Sequence, residues 1–180
     1  MDERREGAPN FNQELLGPSQ DTSAFQEGVN VTLRLTSSLY HRARAPHDCV
    51  VDHVTNLSGD TWNVNPISLT RVERLFCRNE RAVLRANLSA SGHKIAIVTV
   101  AASLVASIRM HFLNVLLHLR YRGPNDIPCS SPFGKGDEMG WFEHGSTVIL
   151  LAPHGFALCE GVEPGVRVAM GRPLLRLPPP

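Results

Sequence analysis

The chain has no surplus of either charge: 18 Lys and Arg stand against 17 Asp and Glu, a formal net charge of +1. That balance offers no field to hold nucleic acid, and no block of like charge forms a binding tail. Cysteine is scarce as well. Cys49, Cys77, Cys129 and Cys159 lie too far apart for the C-x-x-C spacing of zinc or dithiol sites, so no metal centre is expected and the four read as free thiols. A membrane-spanning helix takes roughly 18 or more unbroken apolar residues. The best stretch, Ile95 to Ile108, is interrupted by Thr99, Ser103 and Ser107 and ends at Arg109. The opening MDERREGAPN has no apolar core, so no secretory signal is expected.

What is present suffices for a core. Of the 180 residues, 42% are hydrophobic, which points to one ordinary domain. Residues 1–28 are rich in Gly, Pro and Ser apart from Phe11 and Leu15-Leu16; they read as a loosely ordered arm with one short packed helix near Asn12 to Gly17. The domain proper is expected over 29–180. Val29 to Thr36 alternates apolar and polar residues with period two, the mark of a half-buried strand, and Val50–Val54 and Ala82–Arg85 read likewise. The β-branched run from Ile95 predicts one or two buried strands.

Further along, Leu69–Phe76 has helical spacing and predicts one helix turn, and Leu113–Leu119 predicts a core helix turn or an interfacial surface. The stretch 121–136 holds three prolines and three glycines and predicts a long surface loop. Ser146–Leu151, Phe156–Leu158 and Val166–Val168 return to strand texture. The expected fold class is therefore a β-dominated α+β domain, barrel-like or sandwich-like, of short antiparallel strands with a few short helices.

Several segments carry chemistry. Tyr40-His41-Arg42-Ala43-Arg44-Ala45-Pro46-His47 packs titratable groups beside a proline, and Ser58-Gly59-Asp60-Thr61-Trp62-Asn63-Val64-Asn65 follows it. Leu75-Phe76-Cys77-Arg78-Asn79-Glu80-Arg81 would ordinarily be a solvated turn. Lys135 to Thr147 is a glycine-punctuated hairpin that closes on His144-Gly145-Ser146-Thr147. In this order the segments resemble the phosphatidylserine decarboxylase family: Tyr-His-Arg-x-His-x-Pro, Gly-Asp-x-x-x-Val-Asn, Leu-Phe-x-x-Asn-Glu-Arg and the processing site Leu-Gly-Ser-Thr, with His144 in the leucine position. The resemblance covers roughly residues 11 to 177.

The resemblance implies self-cleavage between Gly145 and Ser146, which would convert Ser146 into a pyruvoyl group and split the chain into pieces 1–145 and 146–180 that stay associated. A serine hydroxyl can attack the preceding carbonyl, and Gly145, lacking Cβ, leaves that carbonyl accessible. The pyruvoyl carbonyl would take the amine of phosphatidylserine as a Schiff base and accept the electrons released with carbon dioxide. His41 occupies the family position of a histidine that handles protons near this chemistry. His47, His144, Thr147 and Ser107 are supporting candidates.

Two departures stand beside the match. Arg44 replaces the second histidine of the first motif, and a guanidinium does not serve as a base near neutral pH. The family's Val-Asp-Gly segment has no counterpart upstream of Tyr40. The expected partners are phosphatidylserine, a membrane surface held peripherally on its cytoplasmic side, and conceivably further copies of the chain, but not nucleic acid. The alternative is an unprocessed, inactive decarboxylase-like protein that binds lipid.

Overall fold

The computed structural model describes residues 11–18, 20–35, 41–102, 107–113, 116–118, 121–142 and 147–179; the side chains of Ser107, Ile108 and residues 116–118 fall outside that description. Among the described residues, twelve strands and three short α-helices follow one another. The helices are α1 (Phe11–Leu16), α2 (Pro66–Arg71) and α3 (Leu75–Arg78). The strands are β1 (Val29–Arg34), β2 (Arg42–Arg44), β3 (Cys49–Leu57), β4 (Arg81–Leu88), β5 (Lys94–Val100) and β6 (Ser107–Met110), then β7 (Leu116–His118), β8 (Asp126–Phe133), β9 (Glu138–Phe142), β10 (Thr147–Ala152), β11 (Ala157–Leu158) and β12 (Leu175–Arg176). The first sheet runs β1-β10-β5-β4-β3-β8 and the second β2-β9-β6-β7, while β11 and β12 form a separate hairpin. Every ladder between these strands is antiparallel.

The two sheets enclose one core. Val51, Val54, Leu84, Ile97 and Leu150 from the first meet Met110, Met139 and Phe142 from the second. The first sheet is covered on its other face too, where Val83, Val98, Ile149 and Leu151 pack against Phe11, Leu15, Phe25, Leu75 and Phe76. Burial on both faces explains why β5 reads as a continuous apolar run and not as an alternation. Arg81 anchors the covering layer. It is 6% exposed, and its guanidinium donates to the carbonyls of Leu15, Glu14 and Asn79 at 2.8, 2.8 and 2.9 Å. Those of Glu14 and Leu15 belong to the last turn of α1, which has no intrahelical donor for them.

The packed helix near Asn12, the first three strands and the two strands from the Ile95 run stand where the sequence predicts them. Four expectations need correction. Leu69–Phe76 is not one helix: α2 starts on Pro66, with Asn65 accepting from the Ser68 N–H at 2.7 Å, and ends before Arg74, whose φ of 52° is left-handed and precedes α3. The proline-rich 121–136 is not a loop along its length, because β8 pairs with β3 at the sheet edge. Edge strands tolerate prolines such as Pro128 and Pro132, whose missing N–H groups leave few ladder bonds unmade. Leu116–His118 form a strand, not a helix turn, and the last strand is Leu175–Arg176, not Val166–Val168.

Candidate active site at the crossover end

The chain passes between the two sheets at one shared end. β1 leads to β2, β5 to β6 and β9 to β10. In the first sheet Thr147 pairs with Arg34 on one side and Val100 on the other, and Val100 pairs with Arg81. One step beyond that row, the Ala101 N–H donates to the Glu80 carbonyl at 2.9 Å. In the second sheet the Phe142 N–H donates to the His41 carbonyl at 2.9 Å, and Phe142 pairs with Ile108. Phe142 and Thr147 at these strand ends are the described residues that flank 143–146 in the sequence.

Three residues at these strand ends carry a buried polar atom without a partner. His41 is half-buried and its Nε2 is buried with no hydrogen-bond partner; the Thr147 Oγ1 and the Glu80 Oε2 are likewise buried and unpartnered. Buried polar atoms are nearly always paired, so each of these is an exception. Thr147 is fully buried, and Glu80 is 1% exposed. Burial pushes the Glu80 carboxyl up from 4.5 to about 7. Asn79 braces the same end: its Oδ1 accepts from the Trp62 N–H at 3.0 Å, and its Nδ2 donates to the carbonyls of Trp62 and Ala101 at 2.8 and 2.9 Å.

His41 and Thr147 are thus brought to one end, with the backbone of Ser107 on β6 one step past the Ile108–Phe142 pair. His144, Gly145 and Ser146 lie outside the described residues. His47 is not brought in; it sits in the turn at the opposite end of β2, its ring nitrogen 3.4 Å from the Asp48 carbonyl. Arg44 faces away from the core beside the buried Ala43 and Ala45, donates to the Gly136 carbonyl at 2.8 Å and lies 3.7 Å from Glu138. Neither its chemistry nor its direction suits a base. Sequence reasoning missed Glu80 and Asn79 as buried groups by reading their segment as a solvated turn. The signal was there: Asn-Glu-Arg runs without a spacer into the apolar Ala82-Val83-Leu84.

A wide cleft of about 2210 Å³ opens onto this end through Arg34, Thr147 and Arg42. Its walls include Leu69, Val72, Val148 and Val168. Arg34, Arg71, Lys135, Arg167 and Arg172 also line it, against a single carboxylate, Glu73, among the described lining residues. Such a surface suits an anionic amphiphile.

A sequence model of phosphatidylserine decarboxylase matches residues 7–176. The chain belongs to the phosphatidylserine decarboxylase family. Among its relatives in that family, the phosphatidylserine decarboxylase proenzyme of Myxococcus xanthus is 37% identical over 139 residues, covering 77% of this chain and 49% of the relative. That of Aliivibrio fischeri strain MJ11 is 34% identical over 177 residues, covering 92% of this chain and 60% of the relative. That of Brevibacillus brevis is 33% identical, covering 89% and 59%. The chain therefore spans about half to three fifths of the length of these decarboxylase proenzymes.

Proposed function

We propose that this chain cleaves itself between Gly145 and Ser146 and, with a pyruvoyl group derived from Ser146, converts phosphatidylserine to phosphatidylethanolamine and carbon dioxide. The observation that carries the reading is the bond between the Phe142 N–H and the His41 carbonyl, which fixes a histidine with a buried, unpartnered Nε2 beside the strand end that leads to Gly145-Ser146. The residues present fit the group: an orphaned imidazole nitrogen is a ready partner for a polar group formed at that position. The pyruvoyl carbonyl supplies the electron sink for loss of the carboxylate. His41 holds the proton that replaces carbon dioxide, a task that an imidazole can perform. The half-buried setting limits the access of water to that exchange.

The cationic and apolar cleft supports a lipid substrate. Its arginines would meet the anionic headgroup, and its apolar wall the acyl chains near the glycerol. The same surface favours peripheral attachment to an anionic membrane leaflet, which we place on the cytoplasmic side. None of the helices is long and apolar enough to cross a membrane among the described residues.

Mass spectrometry of the purified chain tests the reading. A blocked fragment starting at position 146, of roughly 35 residues by the sequence, is expected together with its larger complement, and Ser146→Ala should abolish both. An intact 19.8 kDa chain as the only species would support the unprocessed lipid-binding alternative instead. Release of carbon dioxide from phosphatidylserine vesicles is the matching activity measurement.

A further inference from the structure

The hairpin of β11 and β12 carries a loop, residues 159–174, that takes no part in the core. Its ends are clasped where the Cys159 N–H donates to the Leu174 carbonyl at 2.9 Å. Between them the chain makes three tight turns, closed from the Val162, Val166 and Arg172 N–H groups to the carbonyls of Cys159, Glu163 and Ala169 at 3.1, 3.1 and 3.2 Å. The third place of each turn is a glycine, Gly161, Gly165 or Gly171, with φ of 73°, 84° and 84°, a conformation that a side chain rarely adopts. At Gly165 and Gly171 a Cβ would meet no atom within 4 Å, so these glycines serve the shape of the turns and not packing.

None of the loop's residues is buried, the apolar ones included. Val166 is 48% exposed and Met170 60%. A single exposed apolar side chain needs no explanation, but two on neighbouring turns of one loop, beside Arg167 and Arg172, form a patch. Charge is sorted on the same loop. Val166, Arg167, Met170 and Arg172 line the wide cleft, whereas the exposed Glu160 and Glu163 do not. Leu69 and Arg71 of α2 line that cleft too, and Ile67 of the same helix is 62% exposed. None of Arg71, Arg167 and Arg172 has an ion-pair partner among the described residues. The loop and α2 thus repeat one combination, an exposed apolar side chain with an unpaired cation.

We propose that the 159–174 loop is the membrane-inserting element of this chain: Val166 and Met170 enter the headgroup region of an anionic bilayer, while Arg167 and Arg172, with Arg71 of α2, hold its headgroups. The inference rests on the lipid-substrate reading above and names the surface by which the cleft meets that lipid. Charge complementarity selects the occupant. A second copy of this chain meeting the patch across a two-fold axis would set cation against cation, whereas an anionic leaflet offers each of them a counter-charge. Side chains on the tips of tight turns reach only roughly 5–10 Å into a bilayer, the depth at which interfacial elements bury their apolar groups. The cleft then opens against the bilayer, and a phospholipid can enter it without crossing water.

The test is cosedimentation of the full chain with vesicles of phosphatidylglycerol and phosphatidylcholine, an anionic bilayer that is not a substrate of the proposed reaction. Val166→Ser with Met170→Ser leaves every charge in place and should weaken binding about 10-fold or more, with the thermal midpoint unchanged because neither side chain is buried. Leu158→Ser removes a side chain that is 43% exposed on the same hairpin but outside the cleft, and should bind as the wild type does. Met170→Trp should add an emission that shifts to the blue on vesicle binding and is quenched by brominated acyl chains. A double variant that binds like the wild type, a Leu158→Ser loss of equal size, or an unshifted Met170→Trp emission overturns the assignment. Should the double variant instead lower the mass of the chain in solution and leave vesicle binding intact, the patch joins copies of the chain and the membrane is excluded as its occupant. A wild-type chain that leaves these vesicles unbound overturns membrane attachment and this inference together, whereas cleavage read by mass and carbon dioxide release from detergent-dispersed phosphatidylserine judge the decarboxylase reading separately.

Discussion

His41 and Glu80 each carry a buried side-chain atom without a hydrogen-bond partner. In the proposed reaction His41 gives the proton that replaces carbon dioxide. His41→Gln should therefore lower carbon dioxide release by about 10²–10⁴-fold while the fragment starting at Ser146 still forms; loss of both steps together would remove the separate role of His41. Glu80 affects stability. Its carboxyl titrates at about 7 in the fold because burial penalises the charged form, against an ordinary 4.5. The folded chain thus holds the proton more tightly than the unfolded one. Its contribution is intact below pH 4.5, is lost as pH rises through 4.5 to 7, and changes no further above that, a loss of up to about 3 kcal/mol. Urea unfolding at pH 5 and pH 8 should show a fall in wild type that Glu80→Gln lacks. Equal falls in the two proteins would contradict the buried-carboxyl picture.

At the scale of elements, Gly140 in β9 shows how closely the second sheet is drawn together. A Cβ there would stand 2.2 Å from the Arg109 carbonyl of β6. Gly140→Ala should separate β9 from β6 at a cost of about 2 kcal/mol or more, read as a lower thermal midpoint, and should impair cleavage because Phe142 positions His41. The same scale shows what was legible in the sequence and what was not. Period-two alternation announced β1, and the apolar run from Ile95 announced strands buried on both faces, since in each the pattern reflects the layers that cover them. β8 was hidden because its prolines carry local turn chemistry, and only pairing with β3 at an edge, a long-range fact, makes a strand of them. The break at Arg74 was equally silent, as a left-handed arginine leaves no compositional trace. The motifs named His41 as catalytic and Thr147 as a supporting candidate, and the structure gives their backbone positions, beside Phe142 and opposite Arg34. His47 sits away from the crossover end because β2 carries it to the far side of its own strand. Glu80 was passed over because charge in a short segment suggests solvent, whereas it is only 1% exposed where the chain enters β4.

For the whole molecule, a nearly neutral chain that lines one cleft with eight arginine and lysine residues should bind vesicles according to their charge. Cosedimentation with phosphatidylserine vesicles should weaken strongly between 0.1 and 1 M salt, as the screening length falls from about 10 to about 3 Å, and Arg167→Glu with Arg172→Glu should weaken it at low salt. Salt-independent binding would assign the contact to apolar burial alone. The strand order carries a last consequence. β10 begins at Thr147 and lies inside the six-stranded sheet, laddered to β1 over Val29–Arg34 and to β5 over Ala96–Val100. A break just before it would therefore create two polypeptides that are woven through each other, not two subunits that dock. The shorter one would be a core strand of the longer one's sheet, unable to exchange with a free copy unless the sheet itself came apart. Its second residue, Thr147, would already be laddered on both sides.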